Sequence, residues 1–168
     1  MDILFIKPGS LGDVVHALPT AAALRAADPD ARLTWVVDPR WSPILEGSGV
    51  ADELLEFPRE QFRGLGGKFR ALAWYRALGT RRPDLAIDLQ GLLRSALIAK
   101  ASRAKNIIGL SDAREGAHHF YDQTADTTPA THAVDRYLQI LPTLGIPIPA
   151  TKAFPLPATI HNSPFTIH

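Results

Sequence analysis

Four short apolar runs punctuate the chain: "DILFIK" (2–7), "RLTWVVD" (32–38), "DLAIDLQG" (84–91) and "KNIIGL" (105–110). Each is too short for a core helix and has no helical period, so each reads as a strand buried on both faces. A fifth, "DELLEFP" (52–58), fits between the second and third. The text between them is helical. Residues 13–27 are rich in Ala and Leu, with a kink or restart expected at Pro19 because proline has no amide to donate. Residues 42–49 allow one or two turns, while 71–83 and 92–102 are longer helices. In 131–145 a helical stripe passes through Val134, Leu138 and Leu141, with Thr131 as the expected N-cap. Strands alternating with helices make βαβ units, and right-handed crossovers put helices on both faces of a parallel sheet. The expected fold is α/β, a Rossmann-like parallel sheet of five strands.

At 168 residues the chain has the length of one domain able to bury a real core. The expected boundaries are a Rossmann-like domain at 1–146 and a Pro-rich linker or truncated tail at 147–168. Five prolines in those last 22 residues, without period, read as the approach to a further domain. There is no cysteine, which excludes disulfides, zinc-thiolate sites and thiol nucleophiles. No basic start precedes an apolar stretch, and no uncharged run approaches the roughly 18 residues of a membrane span. A soluble chain is expected.

The net charge of +1 hides an asymmetry. Residues 1–58 carry four basic and nine acidic side chains, whereas 59–82 carry seven basic ones (Arg59, Arg63, Lys68, Arg70, Arg76, Arg81, Arg82) against Glu60 alone. A segment so basic is either a solvated helix face or a surface for phosphate, carboxylate or anionic lipid. Its first part, "REQFRGLGGKFR" (59–70), reads as a loop made mobile by three glycines.

The junction after the first strand, "KPGSLGDVVHALP", carries the chemistry. It matches neither G-x-G-x-x-G nor the P-loop, so a dinucleotide enzyme or an ATPase of those types is disfavoured. It does lie at the carboxyl end of a strand, where open α/β sheets bind ligands. Asp13 begins the following helix. It reads either as a cap, a first-turn acid favoured by the helix dipole, or as a carboxylate aimed into the crevice as a general base. His16, three residues on, either orients Asp13 or packs against the sheet. Asp88 ends its strand and is expected to bond the amides of the following turn; Gln90 begins the next loop. No histidine pairs with acids at metal spacing, so no metal site is expected.

The stretches "ILFIKPGSLGDVVHALP", "WVVD", "AIDLQGLLRSAL", "GLSDAREG" and "HAVDRYLQIL", in that order, resemble the N-terminal domain of the ADP-heptose glycosyltransferase family, the lipopolysaccharide heptosyltransferases. The resemblance covers about residues 1–145 and implies a GT-B architecture of two Rossmann-like halves. It implies inverting transfer of heptose from ADP-heptose to Kdo of the lipopolysaccharide inner core (Kdo-lipid A). It implies that neither metal nor other cofactor takes part. Asp13 matches the family's catalytic base. The acceptor-binding basic residues fall on Arg59, Arg63, Lys68 and Arg114, with Arg70 behind them. Lys7, Ser10, Gly12, His16 and Gln90 become candidate ligand contacts. "DLQGLLRSA" favours members that add the first heptose, with a sister enzyme of different acceptor as the alternative. The implied partners are the anionic glycolipid and the nucleotide sugar, not nucleic acid. The implied location is cytoplasmic, with room for peripheral contact at the inner membrane. The chain stops where the donor-binding half would begin, so a non-catalytic anion-binding module is the rival reading. A Rossmann protein for another nucleotide is a weaker one.

Overall fold

A computed structural model describes residues 1–157. The part of the 147–168 tail beyond Pro157, including "NSPFTIH", lies outside the described residues. Six parallel strands form one sheet in the order β3-β2-β1-β4-β5-β6. They are β1 (Asp2–Ile6), β2 (Arg32–Val37), β3 (Glu53–Glu56), β4 (Leu85–Asp88), β5 (Asn106–Leu110) and β6 (Gln123–Ala125). The helices are α1 (Leu11–Ala27), α2 (Ser42–Leu45), α3 (Gly64–Leu78), α4 (Leu93–Ala101), α5 (Ala133–Leu138) and α6 (Ile140–Thr143). This is the Rossmann order, and the connection reverses direction between β1 and β4.

The strands are apolar throughout because both faces are covered. Alternation divides β1 between two cores. Ile3 and Phe5 face one side with Leu33, Trp35 and Ile87, under α1, α5 and α6. Leu4 and Ile6 face the other with Val36, Ala86 and Ile107, under α3 and α4. The register aligns Phe5 with both Trp35 and Ile87, and the Phe5 and Trp35 rings sit 4.5 Å apart.

Several expectations change. The helix after β1 starts at Leu11 rather than Asp13 and runs unbroken for 17 residues through Pro19. Pro19 gives up one backbone bond, but it is buried beside Leu18, Ala21 and Leu24, which hold the helix on the sheet. The glycine-rich half of the basic loop is the start of α3, preceded by a short 3-10 turn over Arg59–Phe62. A Cβ on Gly67 would overlap the Phe62 backbone. That glycine is a close-packing residue, and Phe62 anchors the turn against Phe57. The cap of α5 is His132, not Thr131: its Nδ1 accepts from the Val134 amide at 3.3 Å. The helical text of 131–145 divides at Gln139 into α5 and α6. Pro142 explains the break, having no N–H for the Leu138 carbonyl and crowding it. The sheet has six strands rather than five; β6 is three residues long with two exposed, and leaves no apolar signature.

Gly109, in β5, is needed for shape: a Cβ there would overlap the Tyr121 ring. That ring cannot swing away freely, because its hydroxyl donates to buried Asp88 at 2.7 Å. Gly109→Ala should therefore destabilise the fold by about 1–3 kcal/mol, read as a lower urea midpoint at unchanged slope. An unchanged midpoint would show that the ring moves at no cost.

Candidate functional site

The carboxyl ends of β1 and β4 open into a crevice at the point where strand order reverses. The first residue past β1 is Lys7, and its side chain is buried. Its ammonium donates to the Leu89 carbonyl at 3.1 Å, lies 3.7 Å from Asp13 Oδ1 and sits 4.5 Å over the Tyr137 ring. Burial pulls the Lys7 amine down from 10.5 to about 8, against the opposing pull of Asp13 and Asp88.

Asp13 occupies the third position of α1, with Ser10 as N-cap. Its Oδ2 accepts from the Ser10 amide at 2.9 Å and the Ser10 hydroxyl at 3.3 Å. Its Oδ1 accepts from the Tyr137 hydroxyl at 3.0 Å. Burial pushes this carboxyl up, but the Lys7 charge, the Ser10 amide, Tyr137 and the Ser10 hydroxyl together hold it below the usual value. Asp13 is thus ionised at neutral pH. Its side chain keeps 35% of its exposure, which leaves room for a ligand to reach it. The capping and crevice-facing readings of Asp13 describe one geometry.

Asp88 contrasts with it. It is fully buried, and Oδ1 accepts from the Gln90 and Gly91 amides at 2.9 and 3.2 Å. Oδ2 accepts from Ser95 at 2.8 Å and from Tyr121. It fixes the β4–α4 turn, as its position in the sequence implied.

Two cavities meet at Gln90. One, of about 400 Å³, is lined by Lys7, Asp13, Gln90, Asp112, Arg114, Arg136 and Tyr137, among others. The other, of about 320 Å³, is lined by Ser10, Asp38, Arg40, Trp41, Arg59, Gln90 and Arg94, among others. Asp112 is paired with Arg136 and Asp38 with Arg40. Arg59, Arg94 and Arg114 have no ion pair among the described residues, so the crevice is short of negative charge. The Gln90 Oε1 is buried without a partner among those residues.

The structure therefore gathers Asp13, Lys7, Gln90 and Arg114 around one cavity and Ser10, Arg59 and Gln90 around its neighbour. Arg63 stands apart, paired with Glu60 at 2.8 Å on the surface. Lys68 and Arg70 are exposed on α3 and line neither cavity. His16 meets neither Asp13 nor a cavity wall; its ring lies 5.5 Å from that of His132. Gly12 is exposed, with open space where a Cβ would be. Sequence reasoning passed over Tyr137 and Arg136, which α5 brings to the crevice from more than a hundred residues away. It also passed over Arg94, for which "GLLRS" after the glutamine turn was a signal. Among the described residues, no three His, Asp or Glu side chains gather as a metal site would need.

A Rossmann half with an anion-receptive crevice at its switch point is the architecture of one half of a GT-B glycosyltransferase. The E. coli heptosyltransferase WaaC, solved with ADP-2-deoxy-2-fluoro heptose, superposes with a TM-score of 0.80 at 28% identity, over 90% of this chain and 50% of that one. The model of "Glycosyltransferase family 9 (heptosyltransferase)" matches residues 71–158, just over half of the chain. The chain belongs to that family. Lipopolysaccharide heptosyltransferase 1 of Pseudomonas aeruginosa is 32% identical, over 89% of this chain and 44% of the relative. Its counterpart in E. coli K12 is 28% identical, over 90% of this chain and 50% of the relative. The chain thus spans about half the length of the curated relatives it matches. Heptosyltransferase II of E. coli shares the fold, with a TM-score of 0.66 at 18% identity.

The Lys7–Asp13 pair yields a pH prediction. Between about 8 and 10.5 the unfolded chain holds more protons on Lys7 than the folded one. Lys7's contribution to stability should therefore rise with pH across that window, by about 3 kcal/mol in all. The titration itself is read from the Lys7 Cε resonance by NMR. Because Asp13 favours the ammonium, Asp13→Asn should move the midpoint below that of the wild type. A midpoint that stays put would show that the two charges do not interact.

Proposed function

We propose that this chain supplies the acceptor-binding half of an inverting heptosyltransferase. The reaction transfers heptose from ADP-heptose to a Kdo hydroxyl of the lipopolysaccharide inner core, Kdo-lipid A. The acceptor oxygen attacks the anomeric carbon, and the bond from that carbon to the ADP oxygen breaks. ADP leaves with the electron pair, and the hydroxyl proton passes to Asp13. Arg59 and Arg114, in adjoining cavities, meet the carboxylates and phosphates of the acceptor, since guanidinium matches both in bidentate geometry. Arg94 joins them. Arg63, Lys68 and Arg70 lie further out and engage the acceptor's periphery. The reading assigns no metal or other cofactor and places the reaction at the cytoplasmic face of the inner membrane.

The observation that carries this reading is the ionised, partly exposed Asp13 carboxylate at the switch point. Membership of the heptosyltransferase family supports the sugar, and the donor analogue bound by WaaC supports the nucleotide. A carboxylate held below its usual pKa is a weak base at rest, but it need not deprotonate a free alcohol. As the bond to carbon forms, the acceptor oxygen becomes acidic, and a positioned carboxylate then takes the proton. In a two-domain form, Asp13→Asn should cut turnover by at least about a hundredfold while leaving the fold intact. Near-normal turnover would remove Asp13 from the chemistry.

A second reading is favoured by the arginines of the crevice, since Arg59, Arg94 and Arg114 line it without an ion pair among the described residues. On it, these residues bind the anionic acceptor and catalyse nothing. Titration with Kdo-lipid A, with and without ADP-heptose, separates the two. In a two-domain form the main reading expects product; under the second, acceptor binds and no sugar is transferred even there.

A further inference from the structure

Helix α3 has two apolar faces, and only one meets the protein. Gly67, Trp74, Tyr75 and Leu78 lie toward the sheet at helical spacing, with Gly67 and Leu78 buried and Trp74 and Tyr75 packed against the core. On the opposite side Leu65, Phe69 and Leu72 recur at i, i+4 and i+7, with exposures of 79%, 74% and 48%. Lys68 borders this stripe, Arg76 continues it one turn on and Arg70 lies on the same helix. All three are exposed and without an ion pair among the described residues. Helix α4, which packs beside α3, exposes Leu93 and Leu97, again four apart.

Topology places this surface. In a parallel sheet each crossover helix starts at the carboxyl edge, so α3 after β3 and α4 after β4 both begin at the edge that holds the crevice. The apolar stripe begins at that edge, with Leu65 the second residue of α3.

We propose that the outer face of α3, with the adjoining start of α4, docks on an anionic lipid bilayer. Leucine and phenylalanine enter the headgroup boundary while the flanking lysine and arginines reach the anionic headgroups. Two observations favour lipid over a second copy of the chain. Helix α3 itself carries Lys68, Arg70 and Arg76 and no acidic residue, so two such faces repel each other. Lys68 and Arg76 border the apolar stripe and have no acidic partner among the described residues, which is charge complementarity to phospholipid and not to itself. No helix among the described residues is long and apolar enough to cross a membrane, so the contact is superficial. It rests on the surface of α3 and α4, independently of which sugar is transferred.

The test is vesicle binding by the full chain. Wild-type protein should co-sediment with vesicles of phosphatidylethanolamine and phosphatidylglycerol, bind phosphatidylcholine vesicles far less, and dissociate as salt is raised. Replacing Leu65, Phe69 and Leu72 together with glutamine, a good helix former, should weaken binding by at least about tenfold with the circular dichroism unchanged. In a Phe69→Trp variant the added indole emission should shift to the blue on anionic vesicles and be quenched by brominated acyl chains. Equal partition of the glutamine variant, or emission from the added indole that ignores the lipid, would overturn the proposal. So would concentration-dependent dimerisation abolished by the same three substitutions, which would give the face to a second copy. Asp13→Asn should bind vesicles as the wild type does, so the membrane surface and the transfer reaction fail separately.

Discussion

A lysine ammonium buried at the end of the central strand sets the terms for the whole crevice. Lys7 keeps only 2% of its exposure, and a buried charge must be paired and hydrogen-bonded or else give up its proton. Each partner comes from a different element: the Leu89 carbonyl from the end of β4, Asp13 from α1 and the Tyr137 ring from α5. One unfavourable burial thus ties the β1–α1 junction to the end of β4 and to α5, which the chain places some 80 and 130 residues away. The Trp35 indole completes the frame by donating to the Lys7 carbonyl at 3.2 Å. The crevice is shaped because its charge has to be satisfied.

The two aspartates at this edge show how burial sorts like groups into unlike roles. Asp88 accepts from two amides, a serine and a tyrosine, and has no exposure left. Its hydrogen-bonding capacity is spent on holding the β4–α4 turn. Asp13 uses part of the same capacity on Ser10 and Tyr137 and still meets solvent. A residue that caps a helix and faces a crevice needs no choice between those tasks, because a carboxylate has lone pairs enough for both.

What could be read from the sequence follows the range of the interaction. β1, β2, β4 and β5 were legible because burial on both faces writes itself as an unbroken apolar run. Asp13, Lys7, Ser10 and Gln90 were legible as positions because each sits at a strand end, where such folds bind ligands. β6 was not: it is short, mostly exposed and held by backbone pairing with β5. The start of α3 looks like a loop in the sequence because glycine disfavours helix, whereas the approach of the Phe62 backbone to Gly67 is tertiary. Tyr137 was unreadable for the same reason, since its hydrogen bond to Asp13 spans 124 residues. Local text carries periodicity and strand ends; it does not carry which distant side chain completes a charge network.

The contacts that keep Asp13 ionised also oppose the role of base proposed for it, and the proposed reaction contains a way past that conflict. Lys7 and the hydrogen bonds from Ser10 and Tyr137 lower its proton affinity in the empty site. The anionic acceptor of the proposed reaction would bring negative charge toward the same carboxylate and draw the field of Arg114 onto itself. It also displaces water, so the remaining charges act through a lower dielectric. Like charge and desolvation both raise a carboxylate's pKa. In the proposed reaction, therefore, Asp13 becomes a stronger base once the acceptor is bound, when there is a hydroxyl to deprotonate. Before that, the charge of Lys7 helps to keep the carboxylate free of a proton.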